Sequence, residues 1–540
     1  MAACHDARQP VGARSQPADA GGAGAAQARR GRPPSGIGHV TSLTFGTAGL
    51  RGPMRDGPTG MNLAVVLRAT WAVAEVLKRR HPAGSTVVVG RDARHGSEQF
   101  AVAAGEALAA EGFSVVLLPS PLPTPVLAFS VRHTGAAAGI QITASHNPAS
   151  DNGYKVYFEG GIQIVSPTDR EIEAAIDEAP PADRIARRPV APSGGELVRR
   201  YIARAATVRR GSGSVRVALT PLHGVGGATA VRVLGLAGFD DVHTVASQFE
   251  PDPDFPTTPF PNPEEPGVVD KLLDLAADIG ADIAIALDPD ADRCAIGVPT
   301  PDGWRMLSGD ETGCLLGDYL LSHTEPGVTV ASTVVSSRML SAIATAHGAR
   351  HVETLTGFKW LARAAGNDLV YAYEEAIGHC VDPAAVRDKD GISAAVLCCD
   401  LVAALAAQRR SVLDALDDLA RAHGVHLTSA VTAPTDDAGT LMTQLRTAPP
   451  TTLAGYPVTV EDLLARRDRE RSDALIVTGG DEHASVRLAV RPSGTEPKIK
   501  CYIEIRQQVD GELAAARAVA TDLQAKLQAE AAGLLQRGPN

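Results

Sequence analysis

The chain has 540 residues, length for about three to four domains at roughly 150 residues each, and its 44% apolar content supplies several buried cores and excludes a disordered chain. A formal net charge of −11 argues against a nucleic-acid partner, because a phosphate backbone requires a broad basic face, although a small anion still fits wherever basic residues converge. The seven cysteines, with Cys398 and Cys399 adjacent, show no C-x-x-C spacing and read as reduced thiols of a cytoplasmic protein.

Residues 1–40 are rich in Ala, Gly, Arg and Pro and lack the apolar stretch of a secretory signal. They read as a disordered tail or the product of a misplaced start codon. The ordered part opens on Phe45-Gly46-Thr47-Ala48-Gly49-Leu50-Arg51-Gly52, where three glycines allow close backbone approach around one guanidinium suited to phosphate. Helix over Asn62–Arg80, strand over Ser85–Val89, helix over Glu98–Glu111 and strand over Ser114–Leu118 follow in βαβ rhythm, predicting an α/β layer with a largely parallel sheet. The apolar run Ala138–Ile142 then reads as a buried strand delivering Thr143-Ala144-Ser145-His146-Asn147-Pro148 to a sheet rim, where ligands usually bind. On its own that hexapeptide is equally a satisfied turn before Pro148. Lys155 lies ten residues past Ser145, across an expected Asn152-Gly153 turn.

A helix over Glu196–Val208 closes the first unit and a strand over Ser214–Leu219 begins a second. Its loop Thr220–Gly227 has Thr229 where the third glycine of a dinucleotide fingerprint belongs, which argues against that reading. After the Pro-rich loop Pro251–Pro266, a strand over Asp282–Leu287 leads into Asp288-Pro289-Asp290-Ala291-Asp292-Arg293. A third unit from about Gly309 carries Gly357-Phe358-Lys359-Trp360 and Glu374-Glu375-Ala376-Ile377-Gly378-His379. The apolar run Gly391–Gln408 has Asp400 in its middle and reads as a buried helix, so no membrane span is expected. The last hundred or so residues read as α+β: strands Ser485–Val490 and Lys498–Ile505 flank Arg491-Pro492-Ser493-Gly494-Thr495-Glu496-Pro497, and a helix over Gly511–Gln536 ends the chain.

Three carboxylates spaced by two residues, Asp288, Asp290 and Asp292, repel one another unless a divalent cation neutralises them, and Mg²⁺ suits such hard oxygen donors. An EF-hand fails because Arg293 stands at its sixth position and Pro299 at its twelfth; a solvated acidic turn is the plainer alternative. The Arg491–Pro497 segment offers a guanidinium, two hydroxyls and a glycine, the parts of a phosphate cradle, or else simply a hairpin turn. Glu374 and Glu375 beside His379 suit sugar hydroxyls, while adjacent acids in a loop are also common as solvated surface.

Taken together, T-A-S-H-N-P, D-P-D-A-D-R, the loop around Glu374–His379 and R-P-S-G-T-E-P resemble, in order, four signatures of the α-D-phosphohexomutase superfamily, the phosphoglucomutases and phosphomannomutases. The likeness runs from about Phe45 to the last helix. It implies three similar mixed α/β domains plus a smaller C-terminal α+β domain around a central cleft, set here at 41–209, 210–308, 309–425 and 426–540. It further implies that Ser145 carries the phosphoryl group and joins Asp288, Asp290 and Asp292 in holding Mg²⁺, with Arg293 on the phosphoserine. Arg51 and Lys155 would flank the reacting group, with Lys155 a candidate general acid/base and His146 a further catalytic residue; Lys359, Glu375 and His379 would face the sugar; Arg491, Ser493, Gly494, Thr495 and Lys498 would grip the distal phosphate. The implied reaction moves a phosphoryl group between C1 and C6 of glucose or mannose phosphate, primed by a sugar 1,6-bisphosphate, in a cytoplasmic monomer or weak homodimer without membrane or nucleic-acid partners.

Two departures bear on the substrate. Many hexomutases carry Ser or Thr where this chain has Ile377, and with Gly357–Trp360 and Phe45–Gly52 this resembles the branch that contains phosphopentomutases as well as glucose-active enzymes. That branch usually carries a helix where this chain has its Arg/Pro/Gly tail. The alternatives are therefore a phosphopentomutase acting on ribose or deoxyribose phosphate, a metal-dependent sugar phosphatase, or a non-catalytic sugar-phosphate sensor. A serine hydrolase is disfavoured, since Ser145 lacks the G-x-S-x-G elbow.

Overall fold

The computed structural model describes residues 49–435, 437–467, 471–493 and 498–536. Residues 45–48 of the first Gly-rich loop, Gly494 and Thr495 of the phosphate loop, and the expected tail 1–40 lie outside the described residues.

Four sheets follow one another along the chain. In the first, Ala138–Ile142 runs parallel to Thr86–Arg91, which is parallel to Ser114–Leu117, and antiparallel to Asp151–Phe158, which pairs onward with Leu50–Pro53. In the second, Ile283–Leu287 lies between parallel Val217–Thr220 and antiparallel Cys294–Thr300. In the third, Leu369–Glu374 lies between parallel Thr329–Thr333 and antiparallel Gly378–Cys380. The fourth is antiparallel throughout, with Leu513–Leu535 packed over Val425–Pro434 and Lys498–Gln507.

The first three sheets thus repeat one device. A buried parallel strand reaches its end, a short loop turns back, and an antiparallel strand pairs with the one just left. The Ser145 loop, the triple-Asp loop and the Glu374–Ile377 loop all occupy this same position, at the carboxyl end of the strand where ligands meet α/β sheets. The first sheet is therefore mixed and not largely parallel, with two parallel pairings against three antiparallel ones. Asn152 and Gly153 accordingly sit inside Asp151–Phe158 and make no turn. Glycine is required there because a Cβ would meet Thr143 O at 2.4 Å and Leu50 O at 2.9 Å.

The helices follow local signals. Asn62 Oδ1 accepts from Val65 N and starts Leu63–Lys78 at the expected position. Gly391–Ala407, begun by Asp390, is buried along almost its whole length. Its Asp400 accepts from Arg210 N at 2.7 Å, Gly211 N at 3.0 Å and Tyr319 Oη at 2.9 Å, so the charge that marked it against a membrane span is satisfied in the core. One continuous core joins this helix to Leu127, Leu219, Ile285 and Tyr371, so the first three sheets share buried surface. No single described helix is long and apolar enough to cross a membrane. The six described cysteines are buried and unpaired.

The fourth sheet joins the third through a polar knot. Buried Glu504 accepts from Arg338 Nε at 2.8 Å, Arg338 N at 2.7 Å and Ser337 Oγ at 3.0 Å, and meets His426 Nδ1 at 2.9 Å. Burial pushes its carboxyl upward, but His426 and Arg338 outweigh that and hold it at about 2. A depressed carboxyl stabilises the fold above its unfolded value near 4.5 and loses that contribution as pH falls through about 2. Glu504→Gln should therefore destabilise the chain by about 3 kcal/mol at pH 7. In thermal melts, the gap between wild type and variant should close between pH 4.5 and 2. A gap constant across that window would remove the ionic account of this joint.

Candidate active site

Ser145 stands in the left-handed region at φ 53, and so do Ala291 at φ 54 in the triple-Asp loop and Ile377 at φ 52 in the glutamate loop. Such conformations cost about 1–3 kcal/mol each for residues other than glycine and persist where the surroundings over-determine them. Those surroundings are visible. Ser145 N donates to Thr143 Oγ1 at 2.9 Å, and Arg94, itself 3.4 Å from Asp92, donates to the carbonyls of Ser145 at 2.7 Å and Pro148 at 2.7 Å. Arg51 donates from the adjoining strand to Asn147 Oδ1 at 2.8 Å. Cys294 N donates to Ile377 O, and Gly391 N to Ala291 O, stitching the second and third sheets together at the site.

The Ser145 hydroxyl donates to Asp288 Oδ2 at 2.9 Å and lies 3.2 Å from His146 Nδ1. Burial, then Arg293 and Arg51, push the His146 imidazole well below its ordinary value, so it faces the hydroxyl as a neutral ring. Asp288, Asp290 and Asp292 are fully buried, which removes the solvated-turn alternative. Lys155 Nζ donates to Asp290 Oδ2 at 2.7 Å and Asp292 Oδ2 at 2.9 Å, Lys389 Nζ lies 3.3 Å from Asp292 Oδ2, and Thr124 Oγ1 donates to Asp290 Oδ2 at 2.6 Å. Burial, then Asp290 and Asp292, push Asp288 well up. Burial opposes the charge on Asp292 too, but Lys155, Lys389 and Arg293 outweigh it and hold that carboxyl far down.

These residues fit a hard divalent cation. One oxygen from each aspartate lies within 4.8 Å of the others, and Asp290 Oδ1 and Asp292 Oδ1 are buried without a hydrogen-bond partner. Buried carboxylate oxygens of that kind are costly unless something electropositive meets them. Three aspartates against Lys155 and Lys389 leave the cluster formally at −1, suited to Mg²⁺.

Arg293 follows the cluster; its backbone N–H donates to Asp288 Oδ1 at 3.1 Å, and its guanidinium reaches Glu264 Oε2 at 3.4 Å. Glu374 accepts from Gly357 N at 2.9 Å, which places Gly357–Trp360, with half-buried Lys359, beside the glutamate loop. Burial pushes Glu374 up to about 7, opposed by Lys389. Glu375 accepts from Thr333 Oγ1 at 3.1 Å and Ser336 Oγ at 3.0 Å. On the fourth sheet Arg491 pairs with Lys500, and Ser493 N donates to Lys498 O at 2.8 Å. Half-buried Tyr502 on that sheet packs against the cluster that holds Val334 and Leu355 and hydrogen-bonds Arg491, and burial, then Glu375, push its hydroxyl up, which places this part of the sheet toward the glutamate loop.

His379 is not brought to the site. It is wholly buried on Gly378–Cys380, 3.2 Å from Tyr371 Oη and stacked near Tyr373, and burial pushes it down to about 3. The reason is strand parity. Glu374, paired with Gly378 at the end of the ladder, points to the opposite face from Tyr373, whereas His379, paired with Tyr373, shares that residue's face and turns into the core. Three residues on the site escaped the sequence reading: Arg94, Thr124 and Lys389. Arg94 had a signal in Gly90-Arg91-Asp92-Ala93-Arg94 directly after a strand, and Lys389 one in Arg387-Asp388-Lys389-Asp390-Gly391 directly before an apolar helix. Thr124 had none.

The chain matches the family models for phosphoglucomutase/phosphomannomutase α/β/α domains I, II and III over residues 42–182, 199–302 and 308–423. It is 40% identical over 463 residues to a probable phosphomannomutase of Haemophilus influenzae, covering 83% of this chain and 93% of that protein. It is 35% identical over 521 residues to the phosphopentomutase of Mus musculus, covering 86% and 84%. The crystal structure of a putative phosphomannomutase from Thermus thermophilus shares the fold, with a TM-score of 0.70 at 24% identity over 92% of this chain and 99% of that one. The chain therefore belongs to the phosphoglucomutase/phosphomannomutase family of the α-D-phosphohexomutase superfamily, and is an enzyme of the intramolecular phosphotransferase type.

Proposed function

We propose that the enzyme moves a phosphoryl group between C1 and C6 of a hexose phosphate, glucose or mannose, through phosphoserine at Ser145 and a bisphosphorylated sugar. The observation carrying this reading is the Ser145 hydroxyl 2.9 Å from Asp288 Oδ2, against three buried aspartates and a buried lysine. Phosphoserine can both give and take back a phosphoryl group, which a mutase needs and a simple hydrolase does not.

Asp288, Asp290 and Asp292, with an oxygen on Ser145, would hold Mg²⁺, whose chemistry is to neutralise charge on the transferring group. Lys155, clamped by Asp290 and Asp292, supplies fixed positive charge beside Ser145, and Arg293 supplies more. When Ser145 accepts a phosphoryl group its Oγ–H bond breaks and an Oγ–P bond forms. His146 Nδ1, neutral at 3.2 Å, is placed to take that proton. Arg51 and Arg94 hold the loop so that Oγ keeps its aim. Arg491, Ser493, Gly494, Thr495 and Lys498 would grip the phosphate not being transferred, so the sugar can present either end to Ser145 in turn. A sugar 1,6-bisphosphate would prime the unphosphorylated enzyme.

A second reading, a pentose phosphate as substrate, is favoured by Ile377 in the glutamate loop and by the relatives named phosphopentomutase. A coupled assay on glucose 1-phosphate, mannose 1-phosphate and ribose 1-phosphate, with Mg²⁺ and bisphosphate primer, separates them. The highest kcat/KM is expected on a hexose phosphate. A preference for ribose 1-phosphate would replace hexose by pentose, and release of free phosphate without isomerisation would sink the mutase mechanism.

A further inference from the structure

The Pro-rich segment Pro251–Pro266 has no chemistry assigned above, yet it touches the site at several points. Its Phe255 ring lies 4.9 Å under the Arg94 guanidinium, and its Phe260 ring meets the His146 imidazole edge-on at 6.0 Å. Near its end, buried Asn262 turns the backbone by accepting from Glu264 N through Oδ1 and from Glu265 N through its carbonyl. That turn aims Glu264 at Arg293, with Oε2 at 3.4 Å from NH1. The contact is single, long and not bidentate, and the Glu264 side chain is 38% exposed while that of Arg293 is 16% exposed. Arg293 Nε is buried with no hydrogen-bond partner, so the guanidinium is incompletely engaged.

An arginine that balances a phosphate on Ser145 stands beside none whenever the unphosphorylated enzyme is empty or its bisphosphorylated sugar is turning. Left without a counter-ion there, it would swing onto the aspartates and compete with a metal for their oxygens. A carboxylate held loosely at one edge prevents this and gives way to a stronger anion. Phosphate is the stronger anion, with about −1.5 to −2 of charge and three acceptor oxygens. We propose that Glu264 is a positioning residue that holds Arg293 while Ser145 is unphosphorylated and releases it when the phosphoryl group arrives. This rests on the reading of Ser145 as the phosphoryl carrier.

The consequence is an equilibrium effect. In the priming reaction a P–O bond of the sugar bisphosphate breaks, an Oγ–P bond forms on Ser145, and the serine proton passes to the sugar oxygen. Glu264 stabilises the unphosphorylated side, where it pairs with Arg293, and repels the phosphate on the other. Glu264→Gln should therefore shift the balance toward phosphoenzyme.

The test incubates the full-length enzyme and Mg²⁺ with glucose 1,6-bisphosphate and glucose 6-phosphate at a series of ratios, and reads the phosphorylated fraction by intact-protein mass spectrometry. Glu264→Gln is expected to raise the equilibrium constant for phosphorylation by about threefold or more, the scale of a partly exposed ion pair. Glu264→Asp, which keeps the carboxylate, should return it toward wild type, and Glu265→Gln, with the same loss of charge one residue on, should leave it unchanged. A generally loosened fold would lower the melting temperature without moving this constant in a set direction. An unchanged constant in Glu264→Gln, a shift toward the unphosphorylated form, or an equal shift in Glu265→Gln overturns the role of Glu264. Wild-type enzyme that takes up no phosphoryl group overturns the carrier reading instead, and this inference with it.

Discussion

Ser145→Ala is expected to reduce turnover by about four orders of magnitude or more, the scale of losing a covalent nucleophile, while the melting temperature barely moves. The hydroxyl belongs to a loop and supports no core contact. Its one strong hydrogen bond goes to Asp288 Oδ2, and Asp288 keeps its other oxygen on Arg293 N. Leaving Asp288 Oδ2 short of a partner costs about 1 kcal/mol in metal-free protein, and Mg²⁺ should restore part of that. Alanine at φ 53 is no worse placed than serine, since neither gains from the left-handed region. Steady-state turnover with a bisphosphate primer, beside thermal melts with and without Mg²⁺, checks both halves. A variant that kept near-normal rates would remove Ser145 from the chemistry.

Lys155→Met should harm both activity and stability, because Lys155 lies between two buried carboxylates. Breaking a buried ion pair by removing one partner costs about 3–5 kcal/mol, since the remaining charge stays buried and unmatched. Here two carboxylates lose a partner at once, with Lys389 still 3.3 Å from Asp292 and Thr124 still on Asp290. A divalent cation supplies what the ammonium no longer does. The variant's melting temperature in EDTA should fall well below that of wild type, and Mg²⁺ should raise it by more than it raises wild type. Turnover should drop by about 10³ even with saturating Mg²⁺, because a fixed positive charge beside the transferring group is lost. Equal stabilisation of both proteins by Mg²⁺ would mean that the aspartates do not hold the ion.

The Ser145 loop, the aspartates and the alternation of strand and helix were legible because each depends on local pattern. Apolar runs of strand length end in loops whose polar residues cannot belong to a core, and three carboxylates at spacing two announce a shared charge problem. Buried Gly391–Ala407 was legible for the same reason, its apolar run exceeding what one helix face can hide. What local pattern does not carry is partnership across sequence. Lys155 was visible as a lysine after an Asn-Gly pair, but the pair reads as a turn until the neighbouring strands crowd Gly153 from both sides. His379 followed from adjacency to Glu375, yet the return strand turns it inward against Tyr371 and Tyr373. Lys389 and Thr124 reach Asp292 and Asp290 from distant parts of the chain, and only the packing of three sheets brings them there.

The central claim is that Ser145 is a reversible phosphoryl carrier. Full-length enzyme with Mg²⁺ should be incubated with a sugar 1,6-bisphosphate labelled in its phosphates, digested, and the label mapped; a parallel sample should be chased with unlabelled sugar monophosphate before digestion. The label is expected on Ser145 alone and should leave quantitatively for the sugar during the chase. Label on another residue, or an unlabelled Ser145 in enzyme that is turning over, would contradict the account.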